Sequence, residues 1–254
     1  MSLLRRREGN VEILTLNRPE QRNALNREVI GLLGQAFTET ENDPAIRSVI
    51  LTGAGDKAFC AGMDLKEFAQ SQGAPQQPTP EYFMRFIEGR LVKPLIAAVN
   101  ATALAGGFEL MLNCDLVIAS ERALFGIPEA KRGLFAAGGG MFLPARIAPA
   151  IAFELGLTGD PIDAARAYQL GLVNRVVPAD QVVPVALQLA QRIAENGPLG
   201  VAATKLLMST CLSKGMEAAR ALMPQLMENV FKSEDAIEGS RAFAAKRQPR
   251  WQGK

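Results

Sequence analysis

The stretch between Pro94 and Leu112 constrains the fold of this chain more than any other. An apolar run at Pro94–Val99, typical of a buried strand, leads through small residues to Gly106-Gly107. An apolar run with helical character follows and carries one carboxylate, that of Glu109. Glycines at a helix start leave backbone N–H groups approachable at the positive end of the helix dipole. The stretch therefore predicts an anion-stabilising site with an acid or base one turn away.

Length and composition indicate one large domain, or one domain with a small appendage, because 48% of the 254 residues are hydrophobic. The net charge of +2 gives no reason to expect nucleic acid or an anionic membrane as a partner. The three cysteines lie far apart without a CxxC pair, so we expect neither disulfides nor a zinc site, and a cytoplasmic location. We also expect no signal peptide and no membrane span.

Histidine is absent from the chain. A Ser-His-Asp or Cys-His nucleophile system therefore cannot be built, and neither can a metal site with histidine ligands. Proton transfer near neutral pH must use a carboxylate, lysine, cysteine, tyrosine or bound water. A carboxylate in that role needs a shifted pKa.

The pattern of apolar residues mixes strands with helices in the first two thirds of the chain and predicts helices alone in the last third. A loop rich in Gln and Pro at 69–80 is expected to be mobile. A doubly wound sheet would be the default topology, but the chain has neither GxGxxG after its first strand nor a phosphate-binding loop. We find no convincing internal repeat. Predicted strands are 11–16, 47–52, 95–99, 115–119 and 123–125. Predicted helices are 26–40 with Asn26 as cap, 81–91, one after the glycine run Gly138–Gly140 that ends near Ile147, 180–195, 198–211, 216–231 and 234–246.

The segment Lys57–Leu65 follows a predicted buried strand and a glycine turn. It is either a simple connection between strand and helix, capped by Asp64, or the source of a second exposed N–H just after Gly62. In the second case that donor would face the one at Gly106, and the two would form an oxyanion hole.

Two glutamates are candidates for proton transfer. Glu109 shares a helix face with Asn113 and is either solvated or, because its neighbours are apolar, buried for a reason. Glu129 follows Pro128 and either merely opens a helix or returns to the site of Glu109. Two carboxylates at one small site would repel, which raises at least one pKa and leaves one acid and one base.

The tail Phe243–Trp251 is either a solvated amphipathic end or a basic and aromatic clamp for a phosphorylated ligand that stacks. The helices before it have apolar faces with no evident core of their own, so we expect self-association.

Six ordered motifs together resemble the crotonase, or enoyl-CoA hydratase/isomerase, superfamily over nearly the whole chain. The resemblance implies an α/β fold: a crotonase-type spiral of ββα units over residues 1–195 and a helical trimerisation region over 196–254. The motifs are Leu16–Pro19 with Asn23–Leu25, Ala58–Leu65, Ala97–Leu110 with Cys114-Asp115, Phe125–Glu129, Gly171–Val177, and Phe243 with Lys246-Arg247.

The resemblance further implies an acyl-CoA thioester substrate, whose oxygen the backbone N–H groups of Met63 and Gly106 would hold. Glu109 would be the base and Glu129 the acid of an enoyl-CoA hydratase, a lyase that needs no cofactor besides the coenzyme A of its substrate. A homotrimer or hexamer is implied as well. Substrate and coenzyme A contacts are expected from Arg18, Lys57, Ala58, Ala61, Asp64, Leu65, Lys66, Phe243 and Lys246.

Three positions depart from the family pattern. Met63 is bulkier than usual, and Ala105 stands where many members have glycine. After Glu129, Lys131-Arg132 and Ala136-Ala137 differ from the residues of many fatty-acid hydratases. Other activities therefore stay open: dehydration of a hydroxyacyl-CoA such as a carnitinyl thioester, or double-bond isomerisation. A non-catalytic acyl-CoA-binding protein is the alternative from a different class.

Overall fold

A computed structural model describes residues 1–70 and 78–254. Most of the loop predicted at 69–80, and with it the prediction of its mobility, lies outside these residues. The strands are β1 (Leu3–Glu8), β2 (Val11–Leu16), β3 (Ser48–Gly53), β4 (Ala58–Cys60), β5 (Leu95–Val99), β6 (Thr102–Leu104), β7 (Leu116–Ser120), β8 (Leu124–Gly126), β9 (Ile162–Asp163) and β10 (Arg175–Val177).

Helices follow the strands along the chain and fill its last third. They are α1 (Arg27–Asn42), α2 (Leu65–Gln70), α3 (Glu81–Ile87), α4 (Gly106–Leu112), α5 (Leu143–Arg146), α6 (Pro149–Thr158), α7 (Ala164–Gln169), α8 (Val182–Ala194), α9 (Pro198–Lys214), α10 (Met216–Phe231) and α11 (Glu234–Ala244). Short 3-10 turns occur at Pro19–Gln21, Pro128–Arg132, Gly140–Phe142 and Ala179–Gln181.

The strands form two sheets, and the chain passes from one to the other three times. The first sheet has the order β1-β2-β3-β5-β7-β10 and is parallel except for the β1–β2 pair. The second has the order β4-β6-β8-β9 and is parallel except for β8–β9. Each of β3, β5 and β7 is followed by its partner β4, β6 or β8, so every coil adds one strand to each sheet. This is the expected spiral.

The four inner strands of the six-stranded sheet, β2, β3, β5 and β7, are buried on both faces, as parallel strands usually are. One face carries Ile13, Ile50, Ile96 and Ile118 and is covered by α8. The other face joins the main core, where α1 and α4 pack. Because α8 closes the sheet, it belongs to the spiral, and the interpreted boundary at 195/196 lies between α8 and α9. The division into two regions stays an interpretation.

The predicted elements agree closely with the structure, and Asn26 caps α1 by accepting a hydrogen bond from the Val29 N–H at 3.0 Å. The predicted set lacks β1, the short strands β4, β6, β9 and β10, and the helices α6 and α7. Strand β1 is hidden because its arginines look like a solvated segment. Those arginines pair with acidic side chains along the edge strand: Arg5 with Glu12 and Glu39, and Arg7 with Asp43. The expected helix after Gly138–Gly140 is shorter than predicted, a 3-10 turn followed by α5.

The last three helices leave much apolar surface uncovered. Thr210 is the one buried residue of α9, and Ala219 is the one buried residue of α10. Among the residues the structure describes, no helix is both long enough and apolar enough to cross a bilayer. The exposed large apolar side chains of α9 to α11 include Leu206, Met208, Leu212, Met223, Met227, Ile237 and Phe243.

Candidate active site

The first candidate donor segment lies between β4 and α2, where Gly62 has a φ of +91°. A Cβ at Gly62 would lie 2.6 Å from the Cβ of Ala105 and 2.9 Å from the Gly106 nitrogen. Glycine is therefore required here both by the backbone conformation and by the close approach of the next coil. The segment turns sharply enough to leave Met63 partly exposed, at 42%.

The second donor segment is the start of α4. Gly107 packs so tightly on β4 that a Cβ would lie 2.0 Å from the carbonyl oxygen of Cys60. Ala105, the residue before the helix, has a φ of 53° and a ψ of −133°, a conformation that favours glycine. The replacement of glycine by Ala105 thus carries backbone strain, a consequence that the sequence alone did not reveal.

The two segments lie side by side, as the glycine pattern predicts. A Cβ built on Gly106 would lie 3.7 Å from the Met63 nitrogen. Neither the Met63 N–H nor the Gly106 N–H donates a hydrogen bond to any residue within 1–70 or 78–254. Two neighbouring unpaired donors, one of them at a helix N-terminus, suit the binding of a developing oxyanion.

Glu109 lies one turn into α4 and is buried, with 6% exposure. Its Oε1 accepts hydrogen bonds from the Gly138 N–H at 2.7 Å and the Gly140 N–H at 2.9 Å. Burial raises the pKa of this carboxyl, and the glycine N–H groups oppose that shift. Glu109 is therefore not the solvated helix residue that one interpretation allowed.

Glu129 lies in the 3-10 turn Pro128–Arg132 that follows β8. Its Oε2 is buried and has no hydrogen-bond partner among the described residues. Burial raises the pKa of its carboxyl, and the negative charge of Glu109 raises it further, while Arg132 opposes the shift. The spiral thus brings the two carboxyl groups close enough to interact, and the environment of Glu129 favours its protonated form.

Arg18 and Asp64, both expected at the substrate, pair with each other. The Arg18 Nη2 lies 3.0 Å from the Asp64 Oδ2, and each side chain is 16% exposed. Asp64 also accepts from the N–H groups of Lys66 and Glu67, and so caps α2. The pair braces the segment that carries Met63. The segment Lys57–Leu65 can therefore be both a connection capped by Asp64 and the source of an N–H donor at Met63.

Other residues expected to contact substrate differ in exposure. Ala58 is buried in β4, and its carbonyl accepts a bond from Asn23 Nδ2 at 2.7 Å. The Ala61 N–H donates to the Arg22 carbonyl. Leu65 is 45% exposed beside Met63, and together they present an apolar surface.

The remaining expected ligand contacts lie on two separate parts of the chain, and no hydrogen bond or ion pair among the described residues joins one part to the other. Lys57 and Lys66 are exposed beside the Met63 segment. Phe243 is 87% exposed near the end of α11, and Lys246 follows it with a φ of 50°. Within the part of the chain that the structure describes, none of the three lysine ammonium groups has a hydrogen-bond or ion-pair partner, so all are available to a ligand.

Comparison with known proteins agrees with this geometry. The sequence profile of the enoyl-CoA hydratase/isomerase family matches residues 6–254. The chain belongs to the enoyl-CoA hydratase/isomerase family. The expectation of an enzyme of the hydro-lyase class is thereby confirmed.

Relatives within the family cover nearly the whole chain. Enoyl-CoA hydratase EchA19 of Mycobacterium tuberculosis is 43% identical over 98% of this chain and 95% of its own. Carnitinyl-CoA dehydratase of Proteus mirabilis is 38% identical over 97% of this chain and 96% of its own. The crystal structure of an enoyl-CoA hydratase from M. tuberculosis superposes with a TM-score of 0.92, at 43% identity over 100% of this chain and 99% of that one.

The residues that hold Glu109 are not among those predicted for the site. The sequence pattern predicts Gly138 and Gly140 only as part of a glycine run before a helix. A signal was nevertheless present, because three consecutive glycines leave three N–H groups open to an acceptor. The backbone turn at 138–140 thus holds the carboxylate of Glu109. The local sequence pattern does not show which acceptor these N–H groups bind.

Proposed function

We propose that the protein is an enoyl-CoA hydratase, which adds water across the 2,3 double bond of a 2-enoyl-CoA to give a 3-hydroxyacyl-CoA. The observation that carries the proposal is geometric: the buried Glu109 carboxyl lies one turn after the unpaired Gly106 N–H, which neighbours the unpaired Met63 N–H, and Glu129 has a buried oxygen without a partner among the described residues. Burial raises the pKa of both carboxyl groups. In a chain without histidine, such a pair is a means of moving protons near neutral pH.

The thioester oxygen would accept hydrogen bonds from the N–H groups of Met63 and Gly106. This polarises the conjugated system and makes C3 electrophilic. Glu109 takes a proton from water as the water oxygen forms its bond to C3. The electron pair of the double bond moves toward the thioester oxygen, where the two donors stabilise the enolate.

Glu129 then delivers a proton to C2 as the enolate collapses. Its unpartnered Oε2 and raised pKa support the role of acid, because both favour the protonated form. Both bonds from the glycine turn fall on Glu109 Oε1, so we expect the transferred proton on Oε2. Only protein groups and water take part; coenzyme A is a portion of the substrate.

A second candidate is the dehydration of a carnitinyl-CoA. It is favoured by the 38% identity to carnitinyl-CoA dehydratase over 97% of this chain. Dehydration would reverse these steps through the enolate of that substrate: Glu129 would remove the proton from C2, and Glu109 would protonate the C3 hydroxyl as it leaves as water, so the same four groups would serve it. Isomerisation of the double bond would need only proton transfer at carbon, without attack by water.

Turnover of a substrate panel tests these proposals. We expect hydration of 2-enoyl-CoA thioesters of short, medium or long chain, seen as loss of the conjugated absorbance and as a 3-hydroxyacyl product by mass spectrometry. Glu109→Gln/Glu129→Gln is the matched control that retains the fold and the donors. Activity on carnitinyl-CoA alone would favour the second candidate. Tight acyl-CoA binding without turnover of any thioester would indicate a binding protein and overturn the proposal.

We also propose that the protein is a homo-oligomer, a trimer or hexamer. The support is the exposed apolar surface of α9 to α11, because an uncovered surface of this kind marks a protein contact. Sedimentation velocity tests it, and a monomer with full activity would refute it.

A further inference from the structure

Asn113 lies one turn after Glu109 and ends α4. Its side chain is on the same face of the helix and is buried, at 9% exposure. The Nδ2 donates a hydrogen bond to the Gly138 carbonyl at 2.8 Å. The Oδ1 is buried without a partner among the described residues. A buried amide with one unsatisfied oxygen is costly, so packing alone would favour an apolar residue here.

The bond from Asn113 reaches the same turn that holds Glu109. Gly138 accepts from Asn113 through its carbonyl and donates to Glu109 Oε1 through its N–H at 2.7 Å. Two residues on, the Gly140 N–H donates to the same oxygen at 2.9 Å. The turn 138–140 is thus attached to α4 through two side chains, those of Glu109 and Asn113.

Gly139, the middle residue of the turn, lies in close contact with the side-chain amide of Asn113. A Cβ at Gly139 would lie 2.9 Å from the Nδ2 and 3.2 Å from the Oδ1 of Asn113. Gly139 also has a φ of +154°, which side chains rarely adopt. The amide therefore packs directly against the backbone of the turn and limits its movement.

We propose that Asn113 is a positioning residue, which holds the turn 138–140 against α4 so that its N–H groups orient the carboxylate of Glu109. The inference rests on the proposed function, in which Glu109 is the base. It adds a residue that acts through the position of Glu109.

Loss of the anchor has a definite electrostatic consequence. Hydrogen bonds donated to a carboxylate favour its ionised form, whereas burial disfavours it. If the turn moves away, Glu109 stays buried and loses its donors, so its pKa rises further. A base with a higher pKa is protonated over more of the acidic range, and the acidic limb of the rate profile moves to higher pH.

The test compares Asn113→Leu and Asn113→Ala with the wild type across pH. We expect kcat to fall by about 10- to 100-fold, as for a base displaced from its working position, with KM nearly unchanged. The acidic limb of kcat/KM should move to higher pH in both variants. Asn113→Gln keeps an amide donor and should recover part of the rate.

Asn174→Leu serves as the matched control. It removes another bond between an asparagine side chain and a backbone group, from the Val117 N–H to Asn174 Oδ1, away from Glu109. We expect it to lower thermal stability without moving the pH profile. An acidic limb at the wild-type position in both Asn113→Leu and Asn113→Ala would overturn the proposal.

A second measurement is independent of turnover. Carboxyl-carbon NMR of protein labelled at the Glu side chain, assigned with Glu109→Gln, reports the titration of Glu109 directly. We expect a higher midpoint in Asn113→Leu than in the wild type, and equal midpoints would refute the positioning role. If the wild type turned over no enoyl-CoA, the proposed function would fail, whereas the titration would still decide the role of Asn113.

Discussion

The two ends of the candidate site are built in different ways. The inner end comprises Met63, Gly106, Glu109 and Glu129. Close backbone contacts between coils hold the first three, and Glu129 is half-buried in the turn after β8. The proposed outer end comprises Lys57 and Lys66 beside the Met63 segment and, at the end of α11, Phe243 and Lys246. All four side chains are exposed, and none of the three ammonium groups has a polar partner in the described parts of the chain. The inner end is therefore organised before a ligand binds, whereas the outer end depends on a ligand or, in the proposed oligomer, on a second subunit to fix it.

The difference teaches where each part of the substrate's binding energy is used. Rigid groups aimed at developing charge lower the barrier, because they need no rearrangement during the reaction. Exposed, flexible charges contribute little to the barrier and mainly affect binding. Substitutions at the inner end should change kcat, and substitutions at the outer end should change KM.

The largest effect is expected from the two acids. Glu109→Gln and Glu129→Gln should each lower kcat by about 10²- to 10⁴-fold, because each removes a proton transfer, while acyl-CoA binding is largely kept. Steady-state kinetics with crotonyl-CoA and calorimetry with an unreactive acyl-CoA provide the two measurements. Near wild-type turnover in both variants would contradict the roles of Glu109 and Glu129 in proton transfer.

The oxyanion donors rank next. Gly106→Pro removes one N–H at the first position of α4, where proline is well tolerated in helices, and should lower kcat by about 10²- to 10³-fold. Ala105→Gly is the matched control, because it keeps the donor and relieves the positive φ. It should leave kcat intact and stabilise the fold by about 1–3 kcal/mol in chemical denaturation. Equal activity of a folded Gly106→Pro variant would contradict the role of this N–H.

Stability should respond in the opposite sense at the inner end. Burial raises the pKa of Glu109 in the folded state above its ordinary value of 4.5, so the ionised form destabilises the fold. Glu109→Gln should therefore be more stable than the wild type at pH 8, although it is inactive. The advantage should fade as the pH falls through the raised pKa, because the wild-type carboxyl is then neutral as well. Thermal unfolding across pH would show whether the two curves converge.

The smallest effect is expected at the outer end. Lys246→Ala should raise KM for an enoyl-CoA by about two- to fivefold with little change in kcat, and by less at high salt, as for an exposed ion pair. Lys214→Ala, at the end of α9, is a control of equal charge change outside the candidate site. A KM unaffected by Lys246→Ala would remove the expected phosphate contact.

Much of this architecture could be predicted from local sequence. Strands such as β5, the caps of α1 and α2, and the glycines beside the donors all follow from short-range preferences. The bond between Glu109 and the turn 138–140 could not be predicted, because it joins segments of different coils. Nor could the repeat of strand pairs be detected, since the coils share a backbone path but not their residues. The positive φ of Ala105 is imposed by neighbours against the residue's own preference.

The contact between Gly107 and Cys60 has a consequence for how activity develops during folding. It joins two successive coils, and the Met63 and Gly106 donors lie on either side of it. The donors therefore come together only when both coils have docked. Docking joins segments that are well separated in the chain, so it is expected to be slow. During refolding, secondary structure should return first, and catalytic activity should return with the docking of these coils. The rate at which enzyme activity recovers would then report the rate of that docking step directly.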